Sequence, residues 1–485
     1  MVIPNYRLDL KDVIRVSFGE KVKISQTGLK KVASSQKQLK NILKEGFSVY
    51  GVNTGFGALA EVKITERKQE KLQENLLLSH SLGTGDVFAK EVVRGAIFLR
   101  ANCLAKGFSG CRPELIRFLV SVLNRDIIPV VNKKGSVGAS GDLLPLAQIG
   151  LITLGKGEVF YSGKRVKASL ALKKASLSPL RLTAKEGLSL INGSEMSAAY
   201  FAHILFYAQK LFEIANLAAS LSFFALRGDP LTLDLRIHLL KPYPGQIKTA
   251  RSLRKILGRL THNSLRIQDP YSIRCCPQVH GAAYEGLRFG EQILKTEINS
   301  VTDNPIILDK RVLTGGNFHC QALALAGDIL ALSLTTLSLI SERRIFLLLD
   351  HKTSGLPPFL IRESGVNSGF MMAQVLAAAL AAENKTLSFP ASVSSLPTSA
   401  NQEDFVSMSM NGLLKGETIL LNLKIILAIE LVLASQAIEL LTDRPPKKIK
   451  EIITKIREFV PFLEKDQEIS EDIKRLTAHL YELTR

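Results

Sequence analysis

The dominant pattern in the sequence is the run 194–226, SEMSAAYFAHILFYAQKLFEIANLAASLSFFAL. It is far too long for a strand, and it is apolar on most faces, so it predicts a helix inside a bundle. Ser194 stands where an N-cap belongs, Glu195 meets the positive end of the helix dipole, and Gly228-Asp229-Pro230 stops the run. Similar runs follow at 281–299, 319–349, 369–387 and 412–441, the last two rich in Ala and Leu as helix-on-helix packing favours. Ahead of them, residues 47–53 read as a short strand entering a Gly-rich turn. Glu158-Val159-Phe160-Tyr161 before Ser162-Gly163-Lys164 reads as half of a small hairpin. Past Pro445-Pro446 runs a short charged helical tail. The pattern predicts a mainly α protein. A smaller mixed α/β part covers 1–193, a long central helical bundle 194–445 and a tail 446–485, integrated as one unit.

Composition narrows the classes. With 46% hydrophobic and 22% charged residues, the 485-residue chain has material for a large core and is not disordered. The formal charge of +19 raises nucleic acid as a partner. The basic pairs are scattered, however, and with 6% aromatics and no Trp there is little to stack bases on, so a lysine-rich solvated surface is expected. The N-terminal stretch carries charges throughout and lacks the apolar core of a signal peptide. The richest apolar stretch, 419–441, is interrupted by Lys424, Glu430 and Glu439, which favours a buried helix over a membrane span. Cys103, Cys111, Cys275, Cys276 and Cys320 are odd in number and form no C-x-x-C pair. No disulfide framework and no metal site follow from them, and a reduced, cytoplasmic setting is expected.

The most unusual local sequence is Gly135-Ser136-Val137-Gly138-Ala139-Ser140-Gly141-Asp142, with a helix expected after it. It satisfies neither the P-loop pattern nor the G-x-S-x-G elbow. An anion-binding nest or a plain glycine turn remains open. One chemistry needs Ala-Ser-Gly in that order. The Gly141 amide nitrogen attacks the Ala139 carbonyl carbon, and two dehydrations, one taking the Ser140 hydroxyl, leave an imidazolone bearing an exocyclic methylidene. That is an electrophile made from the chain itself.

The segment resembles the prosthetic-group motif of the aromatic amino acid ammonia-lyase family, and the likeness continues in order along most of the chain. It includes Tyr50-Gly51-Val52-Asn53-Thr54-Gly55-Phe56-Gly57, Leu78-Ser79-His80, Leu190-Ile191-Asn192-Gly193, Gln268-Asp269-Pro270-Tyr271-Ser272-Ile273-Arg274-Cys275, Gly315-Gly316-Asn317-Phe318-His319 and Ser399-Ala400-Asn401-Gln402-Glu403-Asp404. The resemblance implies an ammonia-lyase-type helical fold and a homotetramer whose sites combine residues of three subunits. It also implies a 4-methylidene-imidazol-5-one formed from Ala139, Ser140 and Gly141, with no separate cofactor, acting on a small-molecule amino acid and with no nucleic acid or membrane partner.

By the same resemblance Tyr50 is the base for the β-proton. An ordinary tyrosine, with a pKa of about 10, needs a site that favours its anion for that task. Arg274 clamps the substrate carboxylate, which suits a guanidinium fork. Asn192, Tyr271 and Gln268 hydrogen-bond the site, and Phe318 packs beside the prosthetic ring. His80 and Glu403 face the substrate ring, where together they suit the two nitrogens of an imidazole. The expected reaction is non-oxidative deamination of L-histidine to trans-urocanate. Phe405 replaces a histidine usual in the histidine-specific members, and Ser81-Leu82 replaces a smaller pair; both make the surroundings more apolar. The same chemistry on tyrosine and an aromatic 2,3-aminomutase are the alternatives, and a non-catalytic basic helical binding protein is a distant one.

Overall fold

The structure, a computed structural model, describes residues 1–260, 264 and 266–484. The protein is mainly helical, as expected, with a few short strands. The expected long runs are helices Glu195–Ala225, Cys276–Glu297, Gln321–Leu349, Met371–Leu387 and Ser409–Leu440. Two compact units emerge, neither continuous in sequence. The first holds 1–204, 291–327 and 390–414; the second holds 205–290, 328–389 and 415–485.

In the second unit an ionic cluster ties four long helices together. Glu430 and Arg344, both 0% exposed, meet through two hydrogen bonds of 2.6 and 2.9 Å. Ser222 and Ser341 donate to the same carboxylate at 2.7 and 2.5 Å. Arg344 contacts His280 Nε2 at 3.3 Å, and the other nitrogen of His280 meets Asn216 Oδ1 at 2.8 Å. Glu430 is one of the charges that interrupt the apolar run at 419–441. Its burial is compensated at every oxygen, and loss of either partner in such a pair costs about 3–5 kcal/mol. Gln321–Leu349 and Ser409–Leu440 are long and apolar enough to cross a membrane, yet 72% and 78% of their apolar windows are buried inside the protein.

The first unit is built around the helix Lys90–Ala105, whose residues from Val92 onward are all buried. Its Arg100 reaches Glu195 at 2.9 Å and donates to the Ser189 carbonyl at 2.7 Å. Nearby, Lys185 and Asp303 pair at 2.7 Å with neither exposed. The expected hairpin is present: Glu158–Tyr161 pairs antiparallel with Lys164–Lys167, and Ile128–Pro129 adds a third strand. Residues 47–53 form a turn instead of the expected strand. Gly51 has φ +66°, and the Val49 amide and Gly51 carbonyl bond to the side chains of Asn53 and Gln73, leaving no ladder for a partner strand.

The start of Glu195–Ala225 is capped unexpectedly. The Ser194 hydroxyl donates to Glu297, while the Ser197 amide is taken by Asp142 at 2.6 Å, from a segment far away in sequence. Burial, reinforced by the nearby Glu195 and Asp142 charges, pushes the Glu297 carboxyl from the usual 4.5 up to about 7 despite the Ser194 hydrogen bond. A raised carboxyl pKa means the native state keeps a proton the unfolded chain has lost. The stability it provides is therefore full below the ordinary value and is lost as pH rises towards 7. Glu297→Gln is expected to flatten the decline in thermal stability between pH 5 and 7 by about 1.4 kcal/mol per pH unit, read from melting curves at several pH values. An unchanged slope would show that Glu297 does not titrate in that window.

Candidate active site

The Ala139-Ser140-Gly141 segment lies between the strand Asn132–Lys134 and the helix Leu143–Gly150. Its turns need glycine. Gly138 and Gly141 have φ of +66° and +74°, a region that residues with a Cβ avoid. A Cβ on Gly138 would sit 2.3 Å from the Ser409 hydroxyl, and one on Gly141 would sit 2.2 Å from the Gly193 carbonyl oxygen. The backbone is stitched on several sides. Asp142 N donates to Gly193 O at 2.7 Å, Met408 N to Val137 O at 2.8 Å and Cys320 N to Gly138 O at 3.2 Å.

Ser140 is held at both ends. The Asn192 side-chain amide donates to its carbonyl at 2.9 Å, and its own hydroxyl donates to the Glu403 carboxylate. Glu403 also accepts from Thr398 Oγ1 at 2.7 Å and Ser399 Oγ at 3.0 Å. Burial alone would raise the Glu403 carboxyl. The hydroxyls of Ser140, Thr398 and Ser399, with His80 nearby, outweigh it and hold the group below its ordinary value, so it is a carboxylate at neutral pH.

Two cavities of about 960 and 450 Å³ open on this segment and share Tyr50, Gly57, Ser140, Asn304, Phe318 and Glu403 as lining. The larger adds His80, Asn192 and an apolar wall including Phe56, Leu76, Leu188 and Ile191. The smaller adds Ala139, His319 and Phe405. The Gly57 amide donates to the Tyr50 phenol oxygen at 2.9 Å, a contact that a phenolate would keep and strengthen. The Phe56 ring meets Tyr50 edge-on at 6.3 Å. His80 ends the helix Glu66–His80, with Ser79 Oγ 2.9 Å from its Nδ1. Burial pushes its imidazole below the ordinary value, so it is neutral at pH 7. Phe405 is 56% exposed and stacks on His319 at 6.2 Å, while Leu82 is exposed.

The structure thus brings Tyr50, His80, Ala139, Ser140, Asn192, Phe318 and Glu403 to one pair of cavities, with Gly141 packed against Gly193. Gln268, Tyr271 and Arg274 fall in the second unit. There the Tyr271–Arg274 turn carries a Tyr271 ring that is 71% exposed, with the Arg274 guanidinium 5.0 Å from its centre. Sequence reasoning missed Asn304, which lines both cavities, and Thr398 and Ser399, which hold Glu403. It also missed Asp142, whose buried carboxylate accepts from Ser136 and Ser197. The hydroxyls of Ser136, three residues before Ala139, and of Ser197, three residues after Ser194, were the visible sign of that last contact.

The donor set fits a ring formed from the tripeptide. The glycine turns leave room for backbone approach, Asn192 already holds the carbonyl of Ser140, and the buried Asn192 Oδ1 has no hydrogen-bond partner among the described residues, so it is available to a further donor.

Residues 8–458 match the family described as aromatic amino acid lyase. A histidine ammonia-lyase of Myxococcus xanthus is 43% identical over 486 residues, spanning 98% of this chain and 96% of the relative. Among solved structures, histidine ammonia-lyase from Trypanosoma cruzi superposes with a TM-score of 0.91 at 36% identity, covering 99% of this chain and 93% of that one. Tyrosine aminomutase from Streptomyces globisporus gives a TM-score of 0.94 at 31% identity, covering 100% and 97%.

The close approach at Gly193 yields a test. A Cβ there would lie 2.2 Å from Glu195 Oε2 and 2.4 Å from an Arg100 guanidinium nitrogen, whereas a Cβ on Gly315 meets nothing within 4 Å. Gly193→Ala is expected to cost about 1–3 kcal/mol in stability by overpacking, against little change for Gly315→Ala, as compared by thermal melting. Equal melting of the two variants would contradict the packing described.

Proposed function

The chain belongs to the aromatic amino acid lyase family, and we propose that it removes ammonia from L-histidine to give trans-urocanate. The observation that carries the choice of histidine is the pair of polar groups in one cavity with Ser140: the Glu403 carboxylate and the neutral His80 imidazole. An imidazole offers one N–H and one lone pair, which answers a carboxylate and a histidine at once. A phenyl ring would offer no partner to the remaining Glu403 oxygen or to the second His80 nitrogen, at roughly 1–3 kcal/mol each. The relatives named as histidine ammonia-lyases over nearly the full chain support the same choice.

A 4-methylidene-imidazol-5-one formed from Ala139, Ser140 and Gly141 would supply the electrophile that takes up the substrate amine and makes it a good leaving group. Asn192 holds the carbonyl contributed by Ser140. Tyr50 removes the β-proton, aided by the Gly57 amide that already donates to its oxygen. Phe318 covers the site on one side. Arg274 binds the substrate carboxylate in a bidentate pair, with Gln268 and Tyr271 beside it. These three come from neighbouring copies in a homotetramer. The exposure of Tyr271, and of Met372, Val375 and Leu376 along one helix, supports surfaces that assembly would cover. Five free thiols support a reducing, cytoplasmic setting.

Incubation with each amino acid separates the choices. Histidine is expected to yield an unsaturated acid absorbing in the near ultraviolet; consumption of tyrosine with none formed from histidine would overturn the substrate. Ser140→Ala is expected to keep the fold, show an intact mass that never falls by the second water and lose nearly all turnover. Unchanged turnover would remove the electrophile from the mechanism.

A further inference from the structure

We propose that Glu403 has a second task, as the acid–base group that carries the proton when Ser140 loses water during maturation of the tripeptide. The inference rests on the ring chemistry of the proposed function and concerns how this chain's own residues make it.

A β-elimination across Cα–Cβ of Ser140 needs two things. The Cα–H must be made acidic, and the hydroxyl must leave as water, because hydroxide is a poor leaving group. The structure supplies a group for each on opposite ends of the residue. Asn192 donates to the Ser140 carbonyl at 2.9 Å, where negative charge gathers as Cα–H ionises. Glu403 receives the Ser140 hydroxyl and so touches the atom that departs. The carboxylate is also aimed. Thr398 and Ser399 hydroxyls fix its second oxygen, and backbone bonds pair Glu403 with Thr398 at 2.8 and 3.3 Å. Its depressed pKa places it in the form that accepts a proton first.

The step balances. The Cα–H bond breaks and its proton passes to Glu403; its electron pair becomes the Cα=Cβ bond; the Cβ–Oγ bond breaks, and Oγ takes the proton from Glu403 and leaves as water. Glu403 returns to carboxylate, and nothing is oxidised or reduced. The preceding ring closure at Gly141 and Ala139 does not use Glu403. Loss of its carboxylate should therefore arrest the chain after the first water.

The test follows intact mass over time after cell-free synthesis of the full chain, for wild type, Glu403→Gln and Glu403→Ala, with circular dichroism as the check on folding. Wild type is expected to fall by two waters. Both variants are expected to stall at one water, or to lose the second at least tenfold more slowly, with the near-ultraviolet band of the unsaturated ring delayed in step. Added formate is expected to speed the second loss in Glu403→Ala and not in Glu403→Gln, whose amide still fills the space. Folded variants that lose both waters at the wild-type rate would overturn the role of Glu403 and leave the ring chemistry standing. Wild type that keeps its unmodified mass would instead overturn the ring chemistry itself. Should Glu403→Ala not fold, the isosteric Glu403→Gln alone decides, by the same comparison of rates.

Discussion

Fully buried beside the first turn of a long helix, the Asp142 carboxylate accepts from Ser136 Oγ, Ser197 N and Ser197 Oγ at 3.0, 2.6 and 2.7 Å. Burying a carboxylate is costly unless donors surround it. Burial pushes this one up to about 6 despite those donors. What the contact achieves is a shared anchor: one group ends the glycine turn and starts the helix Glu195–Ala225. Because the turn is pinned there, Gly141 lies against Gly193 with no room for a Cβ on either. Asn192 then reaches Ser140, and the segment around Glu403 closes from the other side.

A related device operates in the second unit. Helices that are apolar nearly all round, such as Gln321–Leu349 and Ser409–Leu440, could pack in several registers, since Leu and Ala surfaces discriminate poorly. The cluster of Glu430, Arg344, His280, Ser222 and Ser341 permits one register, the one in which buried charges and donors meet. Both units thus place a carboxylate where an apolar sequence would otherwise leave geometry loosely specified.

The long helices were legible because length, apolarity and Gly-Asp-Pro punctuation are local properties, and their observed ends fall within a few residues of the expected ones except at Cys276, where the helix begins earlier. Local reasoning failed where partners are remote. Residues 47–53 look like a strand, but Asn53 and Gln73 side chains consume the backbone bonds a strand would use. Ser194 looks like a cap, but the cap arrives from Asp142. The residues grouped around Ser140 could be named from the ordered motifs; Thr398 lies outside them, and Ser399, though it opens the last one, has no spacing that marks its hydroxyl as a partner of Glu403.

The two contacts to Ser140 come from residues 52 and 263 positions further along the chain. A ribosome working at about 5–20 residues per second reaches the second of them roughly a quarter to one minute after Ser140 itself is joined. Throughout that interval the tripeptide is an ordinary stretch of nascent peptide, with no carboxylate beside its hydroxyl. The surroundings of Ser140 are therefore completed only by translation and folding of the far end of the first unit. A chain that stops short of residue 403 lacks the carboxylate that receives the Ser140 hydroxyl.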